Sequence, residues 1–295
     1  MKRYPIYQVD AFTVHPLSGN PCAVVFDCAD LEEDTLLAIA REMNLSETAF
    51  VWQNPDGGFR ARYFTPAEEI PLAGHPTIAS VHALIDSGRL ALSSDHLKIA
   101  LELKEGPIEV EVFSLQGQVE RIVMSQRKPQ FLSTHRPADI MPVFGLGEDD
   151  LLPDVPIQTV STGTPQLMVP LREHAALRRA RVDVEKYTRL RERSDFFSPH
   201  LFCLRGVENG KTFARHFGVP PDTPEDPFTG SATGGMAAYL WHHGLIPTPT
   251  FLAEQGHWMD RPGQAYVEVI GPPEDIETVK VGGSAVTVLR GELTI

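Results

Sequence analysis

Apolar and polar residues near the start of the chain follow strand-like spacing and then change to helical spacing. Residues 7–12 alternate and residues 22–26 form a short apolar run, which predicts two strands joined by a turn rich in proline and glycine. An acid at Asp30 followed by Glu33 predicts a capped helix start, and Asn44 is the predicted helix end. Between them, apolar residues recur at the spacing of one helix face: Leu36, Ile39, Ala40 and Met43.

The next segment, residues 45–51, is predicted to be a turn that leads into a strand, and it contains Glu47. Because side chains alternate between the two faces of a strand, Glu47 shares a face with Ala49 and Val51. That face is apolar, which would place a carboxylate beside the core. In the alternative, the opposite face with Phe50 points inward and Glu47 points to water. The pattern alone favours neither.

Alternating apolar residues predict antiparallel strands in two later parts of the chain. The first part spans residues 97–124, with a turn predicted at Gly106 and Pro107. The second part is the C-terminal end, where Gly282 and Gly283 predict a hairpin. The strands expected there are 265–270, 279–281 and 285–289.

One nine-residue pattern occurs twice in the sequence. Residues 69–77 are EIPLAGHPT and residues 225–233 are EDPFTGSAT, so Glu, Pro, Gly and Thr recur in the same order. Upstream, ARYF at 61–64 corresponds to ARHF at 214–217, and a segment of small apolar residues follows each copy. The glutamate that opens both copies occupies the same place, which favours a structural role for it. Each copy predicts a strand, a turn and the start of a helix.

The duplication extends beyond this pattern. The sequence GNP at 19–21 corresponds to GTP at 163–165, and each is followed by an apolar run. The first half is predicted to give way to the second near 116–118. We therefore expect an N-terminal half-domain at residues 1–118 and a C-terminal half-domain at residues 119–295, from which the last strand could return to the first half.

Each copy of the pattern places a glycine at the helix start, at Gly74 and Gly230, followed by His75 and Ser231. The first N–H groups of a helix have no partner within it and lie at the positive end of its dipole, so they attract anions. A single such sequence is more often only a helix start. Because a duplicated fold should bring two starts face to face, we expect these four residues around one pocket that binds a substrate carboxylate.

Composition limits the possible settings and partners. The chain has 295 residues, 42% of them hydrophobic, which is enough for two domains or one large one. A net charge of −13 argues against nucleic acid and membranes as partners, and no transmembrane run or signal peptide is evident. The arginine-rich stretch 172–193 also holds acids and predicts a solvated helical face. Cys22, Cys28 and Cys203 lack metal-ligand spacing, so we expect free thiols in a cytoplasmic protein.

The candidates for chemistry are Glu47, His75, Asp226 and Ser231, with Glu47 and Asp226 expected on the pocket wall. Some have an ordinary structural alternative, because Asp226 could brace the turn at Pro227 and His75 could cap its helix. The sequence contains no nucleophile elbow, phosphate-binding loop, zinc signature or dinucleotide fingerprint. The candidate set therefore indicates acid–base chemistry without a metal or an organic cofactor.

Several of these segments resemble the landmarks of the phenazine-biosynthesis PhzF family. The resemblance covers nearly the whole chain, and its motifs are specific. The segments that carry it are Asp10-Ala11-Phe12, Gly19-Asn20-Pro21, Ser46-Glu47-Thr48-Ala49-Phe50, Leu72-Ala73-Gly74-His75-Pro76-Thr77 and Glu225-Asp226-Pro227-Phe228-Thr229-Gly230-Ser231-Ala232. The closing segments also fit the family: Gln255-Gly256, Arg261-Pro262 and Gly282-Gly283.

The resemblance implies an α+β, diaminopimelate-epimerase-like fold of two pseudo-symmetric α/β halves, each wrapping a central helix. It also implies a homodimer and a cofactor-independent isomerase of a small carboxylate-bearing metabolite. The best understood activity of the family is isomerisation of trans-2,3-dihydro-3-hydroxyanthranilate. Carried over residue by residue, the catalytic residues are Glu47, which moves the proton, His75 and Asp226. The substrate-binding residues carried over are Asn20, Ser46, Gly74, Gly230 and Ser231.

The related epimerases place a cysteine directly after each helix-start glycine, whereas this chain has His75 and Ser231 there. A two-thiol racemase mechanism is therefore not expected. A carboxylate in a partly apolar site remains as the acid–base group, with a pKa raised by desolvation. Two other classes stay open: a lyase or dehydratase acting on a small hydroxy or amino acid, and a non-catalytic relative that only binds a small molecule.

Overall fold

The computed structural model describes residues 1–219 and 222–295, which form strands and helices in two similar halves. The first half contains β1 (Arg3–Ala11), β2 (Asn20–Phe26), α1 (Glu33–Met43), β3 (Thr48–Gln53), β4 (Phe59–Phe64), β5 (Glu69–Ile70), α2 (Gly74–Asp86), β6 (His96–Leu103), β7 (Gly106–Leu115) and β8 (Gln118–Ser125). The second half contains β9 (Gln130–His135), α3 (Pro137–Ile140), β10 (Ile157–Ser161), β11 (Pro165–Leu171), α4 (His174–Arg179), α5 (Val184–Arg191), β12 (Ser198–Cys203), β13 (Thr212–Phe217), β14 (Glu225–Asp226), α6 (Gly230–His242), β15 (Thr250–Gln255), β16 (Gly263–Ile270) and β17 (Thr278–Gly283). The chain ends with β18 (Ala285–Thr294), and short 3-10 helices lie at Met141–Phe144, Glu148–Asp150 and His257–Met259.

The two halves have the same strand pairings. Neighbouring strands run β18–β1–β2–β3–β4–β6–β7–β8 in the first half and β9–β10–β11–β12–β13–β15–β16–β17 in the second. In both series the third and the fifth pairings are parallel and the others are antiparallel. β8 and β17 pair with each other and join the halves. The duplication predicted from the sequence is therefore present in the fold.

Each half wraps its strands around one central helix, α2 in the first half and α6 in the second. Both helices are buried along nearly their whole length, from Gly74 to Leu84 except for the half-buried His82, and from Gly230 to Leu240. A helix made of small and apolar residues on all sides has no face for water and belongs in a core. This arrangement confirms the α+β fold of two α/β halves.

The starts of the two central helices touch each other. A Cβ atom built on Gly74 would lie 2.6 Å from Gly230 Cα, and one built on Gly230 would lie 3.0 Å from Gly74 Cα. Any side chain at either position would therefore collide with the backbone of the other half. Glycine is required here because the backbones approach closely.

The glutamate that opens each copy of the repeat forms the same ion pair in both halves. Arg62 binds Glu69 through Nε and Nη2, both at 2.8 Å, and Arg215 binds Glu225 at 2.8 and 2.6 Å. Two parallel charge-assisted bonds fix the geometry of each pair. The two glutamates thus tie β5 to β4 and β14 to β13, just before the central helices begin.

Glu47 immediately precedes β3, whose two faces are both buried. Ala49 and Val51 belong to the core around α2, and Phe50 belongs to a second core under α1. The alternative in which Glu47 points to water is therefore wrong, because both faces of β3 are buried. Glu47 lies on the same side as Ala49 and Val51, toward the central helices.

The cap predicted for α1 is only half correct. The helix ends at Asn44 in a left-handed conformation with φ of 51°, as its position predicts. It begins two residues later than an Asp30 cap requires, because Glu32 is the N-cap residue and its side chain makes no capping hydrogen bond. Asp30 instead binds Lys2 and Tyr4, which holds the N-terminal strand.

The hairpin predicted at Gly282 and Gly283 is wrong. Both glycines lie in β17 and pair with Val123 and Ile122 of β8. Glycine is needed at position 283 for another reason, because a Cβ there would lie 2.6 Å from Phe12 Cδ1. The predicted turn at residues 106–107 is also displaced, because β7 already begins at Gly106.

β18 pairs with β1 along its length, so the last strand lies in the first half. The boundary between residues 118 and 119 remains a prediction, because β8 bonds to strands of both halves. Cys22, Cys28 and Cys203 are free and buried. Within residues 1–219 and 222–295, no helix combines the length and the apolarity needed to cross a membrane.

We predict that Gly74→Ala destabilises the fold, because its Cβ would overlap the backbone of Gly230. Overpacking of this kind costs roughly 1–3 kcal/mol. Chemical denaturation measures the free energy of unfolding, and Gly291→Ala serves as the control because a Cβ there meets nothing closer than 3.9 Å. Equal stabilities of the two variants would contradict the required contact between the helix starts.

Candidate active site

A cavity of about 640 Å³ opens where the two helix starts meet, and it is called the central cavity below. Four predicted site residues line it: Ser46, Glu47, Asp226 and Ser231. The other four are not among its lining residues: Asn20, Gly74, His75 and Gly230. They are buried directly behind the wall, in contact with residues that do line the cavity or with each other. The structure thus brings all eight together.

Glu47 and His75 face each other at the cavity wall. Glu47 Oε2 lies 3.3 Å from His75 Nε2, and the two side chains are 17% and 3% exposed. Both atoms are buried, yet the angles between them do not complete a hydrogen bond, and neither has another partner within the described chain. Hydrogen bonds of catalytic groups are often long before substrate binds, so a small rotation would complete this one.

Burial dominates the ionisation of both groups. It raises the pKa of Glu47 well above its usual value, and the nearby charges of Asp226 and Asp222 raise that pKa further. Burial lowers the pKa of His75 to about 4, against a weaker opposing effect of Asp226. At neutral pH His75 is therefore uncharged, and it does not provide a positive charge to compensate a bound carboxylate.

The Asn20 side chain fixes the tautomer of His75. Asn20 Nδ2 donates to Asp226 Oδ1 at 2.7 Å and to the Phe228 carbonyl at 2.8 Å, and it lies 3.0 Å from His75 Nδ1. A protonated Nδ1 would point its hydrogen at this NH₂ group, so Nδ1 must be the unprotonated nitrogen. The proton of neutral His75 then lies on Nε2, directed at Glu47.

Asp226 is held by hydrogen bonds on both carboxylate oxygens. Oδ1 accepts from Asn20, and Oδ2 accepts from the Thr229 hydroxyl. Gln255 secures the same turn, because its Nε2 donates to the Asp226 carbonyl at 2.7 Å and its Oε1 accepts from the Thr229 N–H at 3.1 Å. Sequence analysis identified Thr229 and Gln255 only as members of family landmarks and predicted no separate role for either.

The acid–base set also has the spacing of a metal site. One ligand atom each from Glu47, His75 and Asp226 lie within 4.8 Å of one another. Sequence spacing did not indicate such a set, because its members are far apart in the chain. The chemistry of the set fits a proton better than a metal, since both Asp226 oxygens already accept hydrogen bonds and burial, which raises the pKa of Glu47, disfavours the ionised form that binds metals.

His216 also lines the cavity, although no functional role was predicted for it from the sequence. Its Nε2 lies 2.8 Å from Ser198 Oγ, and burial lowers its pKa to about 4. The signal was available in the repeat, where His216 takes the place of Tyr63. Tyr63 instead bonds Thr77 inside the first half.

Comparison with known proteins identifies the family of this chain. The family model for PhzC-PhzF, described as phenazine biosynthesis-like protein, matches residues 9–291. The trans-2,3-dihydro-3-hydroxyanthranilate isomerase of Pseudomonas aeruginosa is 33% identical over 296 residues, which cover 99% of each chain. Other curated relatives, from Clostridium acetobutylicum and Bacillus subtilis, are named uncharacterized isomerases.

Solved structures show the same fold. The phenazine biosynthesis protein of the PhzF family from Bacillus anthracis superposes with a TM-score of 0.87 over 100% of both chains, at 30% identity. A hydroxyproline epimerase from Agrobacterium vitis superposes with a TM-score of 0.69 over 99% of this chain and 92% of that one. Because the two sequences are only 12% identical, this superposition shows a shared fold and nothing about activity. The chain therefore belongs to the PhzC-PhzF family of phenazine biosynthesis-like proteins and is an enzyme of the isomerase class.

Proposed function

We propose that the protein is a cofactor-independent isomerase of a small carboxylate-bearing metabolite and that Glu47 moves the proton. The observation that carries the proposal is a carboxyl group with a raised pKa, set against a neutral histidine at the wall of a cavity. A general acid–base group works best when its pKa is close to the working pH, and burial moves Glu47 in that direction.

The two carboxylate oxygens of Glu47 have different surroundings, which supports a different role for each oxygen. Oε2 is buried and faces the Nε2–H of His75, whereas Oε1 makes no hydrogen bond to any residue that the structure describes and is the oxygen available to the cavity. In this proposal His75 orients Glu47 through Oε2, and Oε1 takes and returns the proton. Asp226 and Asn20 hold His75 in the required tautomer.

The helix starts at Gly74 and Gly230 would bind the substrate carboxylate through their free N–H groups, with Ser231 and Ser46 beside it. Ionised Glu47 removes a proton from a carbon next to that carboxylate or conjugated with it. The negative charge that develops is stabilised by the two helix N-termini. Glu47 then returns the proton to another carbon, so the product is an isomer and no atom is lost.

The relative from Pseudomonas aeruginosa indicates a first substrate to test, trans-2,3-dihydro-3-hydroxyanthranilate. The purified protein is incubated with this compound in D₂O, and the products are analysed by mass spectrometry and NMR. An isomer with solvent deuterium at the new C–H position is expected. Loss of water would identify a dehydratase, and binding without exchange would identify a non-catalytic relative.

We predict that Glu47→Gln lowers turnover and deuterium exchange by a factor of about 100 or more, which is the scale of a lost general base. Glu42→Gln is the matched control, because Glu42 lies on the exposed end of α1, away from the cavity. Near-normal exchange by a folded Glu47→Gln protein would rule out Glu47 as the base.

The same variant should be more stable than the native protein at neutral and alkaline pH. A folded-state pKa above the unfolded one means that the folded state binds more protons, so native stability falls as pH rises through this interval. Glutamine does not titrate, so the stability of Glu47→Gln does not fall in this way as pH rises. Denaturation at acidic and at alkaline pH checks this, and an equal pH dependence of both proteins would contradict a raised Glu47 pKa.

The pH–rate profile should depend on Asp226. The base form of Glu47 is needed, so kcat/KM rises with pH through the raised Glu47 pKa. Asp226 contributes to that rise in pKa, second only to burial. Asp226→Asn should therefore move the acid limb to lower pH, whatever it does to the maximal rate. A limb that stays in place or moves up would contradict the electrostatic coupling.

Independence from metals is tested directly because the site residues have metal-like spacing. We expect dialysis against a chelator to leave turnover unchanged, and added Zn²⁺ or Mn²⁺ to leave it unchanged or lower it. Activity that is lost on chelation and restored by one metal would replace the proton mechanism with a metal-dependent one. The homodimer and the cytoplasmic location remain predictions.

A further inference from the structure

Part of the central cavity is formed by α5 and the start of β12, which are distant in sequence from both central-helix starts. This part, called the α5 wall, consists of Tyr187, Arg191, Phe197 and Ser198. The sequence predicted a solvated helical face for the arginine-rich stretch that includes α5. That is correct for Arg189, which is exposed and pairs with Glu185, and wrong for Arg191, which lines the cavity.

One edge of the Arg191 guanidinium group is held by contacts with Phe197. Its Nε donates to the Phe197 carbonyl at 2.6 Å, and the group lies over the Phe197 ring with 5.3 Å to the centroid. Tyr187 donates to the same carbonyl at 3.3 Å. Tyr187 also contacts the guanidinium group, and across the described chain no carboxylate pairs with either Nη atom of Arg191, so the outer edge of the fork is available.

Arg191 is the single lysine or arginine among the described residues that line the cavity, although several acids line it. Three of those acids are already engaged elsewhere. Glu69 binds Arg62 and Lys104, Asp195 accepts from the Ser133 N–H and the Thr159 hydroxyl, and Asp226 accepts from Asn20 and Thr229. Glu47, Glu68 and Asp222 also line the cavity, but none of these three carboxylates forms an ion pair with Arg191. The guanidinium therefore has no anionic partner among the described residues and is available to an anionic group of the ligand.

We propose that Arg191 binds a second anionic group of the substrate, so that the substrate class is a small dicarboxylic acid. This rests on the proposed function, in which the first carboxylate lies at the helix starts. The guanidinium fork matches a carboxylate with two parallel N–H···O bonds. A cavity of about 640 Å³ has room for such an extended ligand between the two ends.

The test compares ligands that differ only in the charge of one end. The linear dicarboxylates from succinate to pimelate, and the monoamide of each, are titrated into the native protein by calorimetry. The monoamide keeps the length and shape of the diacid but has only one carboxylate. We expect at least one diacid to bind tenfold or more tightly than its monoamide. Equal affinities within every pair, or no binding of any diacid, would overturn the proposal.

Two variants locate the effect. Arg191→Met should abolish the difference between diacid and monoamide, and Arg191→Lys should retain part of it, since it keeps the charge and loses the fork. Arg189→Met is the matched control from the same helix and should behave as the native protein does. A diacid preference that survives Arg191→Met would place the second carboxylate elsewhere. The pairwise comparison in the native protein decides the matter even where a variant fails to fold.

The proposed function is tested separately in the same series. Glu47→Gln should keep the diacid preference, because it removes the base and leaves Arg191 in place. Loss of the diacid preference in Arg191→Met, together with loss of proton exchange in Glu47→Gln, supports both proposals. Exchange that is unaffected by Glu47→Gln refutes the proton mechanism, whereas an absent diacid preference refutes only the role of Arg191.

Discussion

The close approach of two backbones at Gly74 and Gly230 determines what this fold can do. Because neither position has a side chain, the central helices of the two halves meet start to start instead of being held apart. The first N–H groups of the two helices, which have no partner within their own helix, therefore lie close together, which helix starts held apart by side chains would not achieve. The duplicated Arg–Glu pairs support this contact, since each fixes the strand that leads into one helix.

The halves also hold each other's helix starts. The Asn20 side chain of the first half donates to the Phe228 carbonyl of the second, two residues before Gly230. Thr164, its counterpart in the repeat, donates at 3.3 Å to the Leu72 carbonyl of the first half, two residues before Gly74. The exchange is reciprocal, so the position of each start depends on the other half being folded. The cavity is therefore a property of the pair of halves.

Much of this could be predicted from the sequence, and the rest depended on contacts between distant parts of the chain. The repeat located both helix starts, because a strand, turn and glycine are local signals. The side of β3 on which Glu47 lies could not be predicted, because both faces of β3 are buried. The sequence around Gly283 predicted a turn, but glycine is present there because Phe12 packs against its backbone. Arg191 had the local pattern of a surface helix, and only the tertiary fold turns it toward the cavity.

A symmetric scaffold becomes an asymmetric site through the positions at which the two copies differ. Where the first half has Asn20, the second has Thr164; Asn20 has a second hydrogen to donate and uses it to hold Asp226. Its amide also sets the tautomer of His75, the residue that corresponds to Ser231 in the other copy of the repeat. Burial then separates the pKa values, raising that of Glu47 and lowering that of His75. Glu47 and the neutral His75 therefore lie together where the two helix starts meet, and the residues that differ between the copies make the site asymmetric.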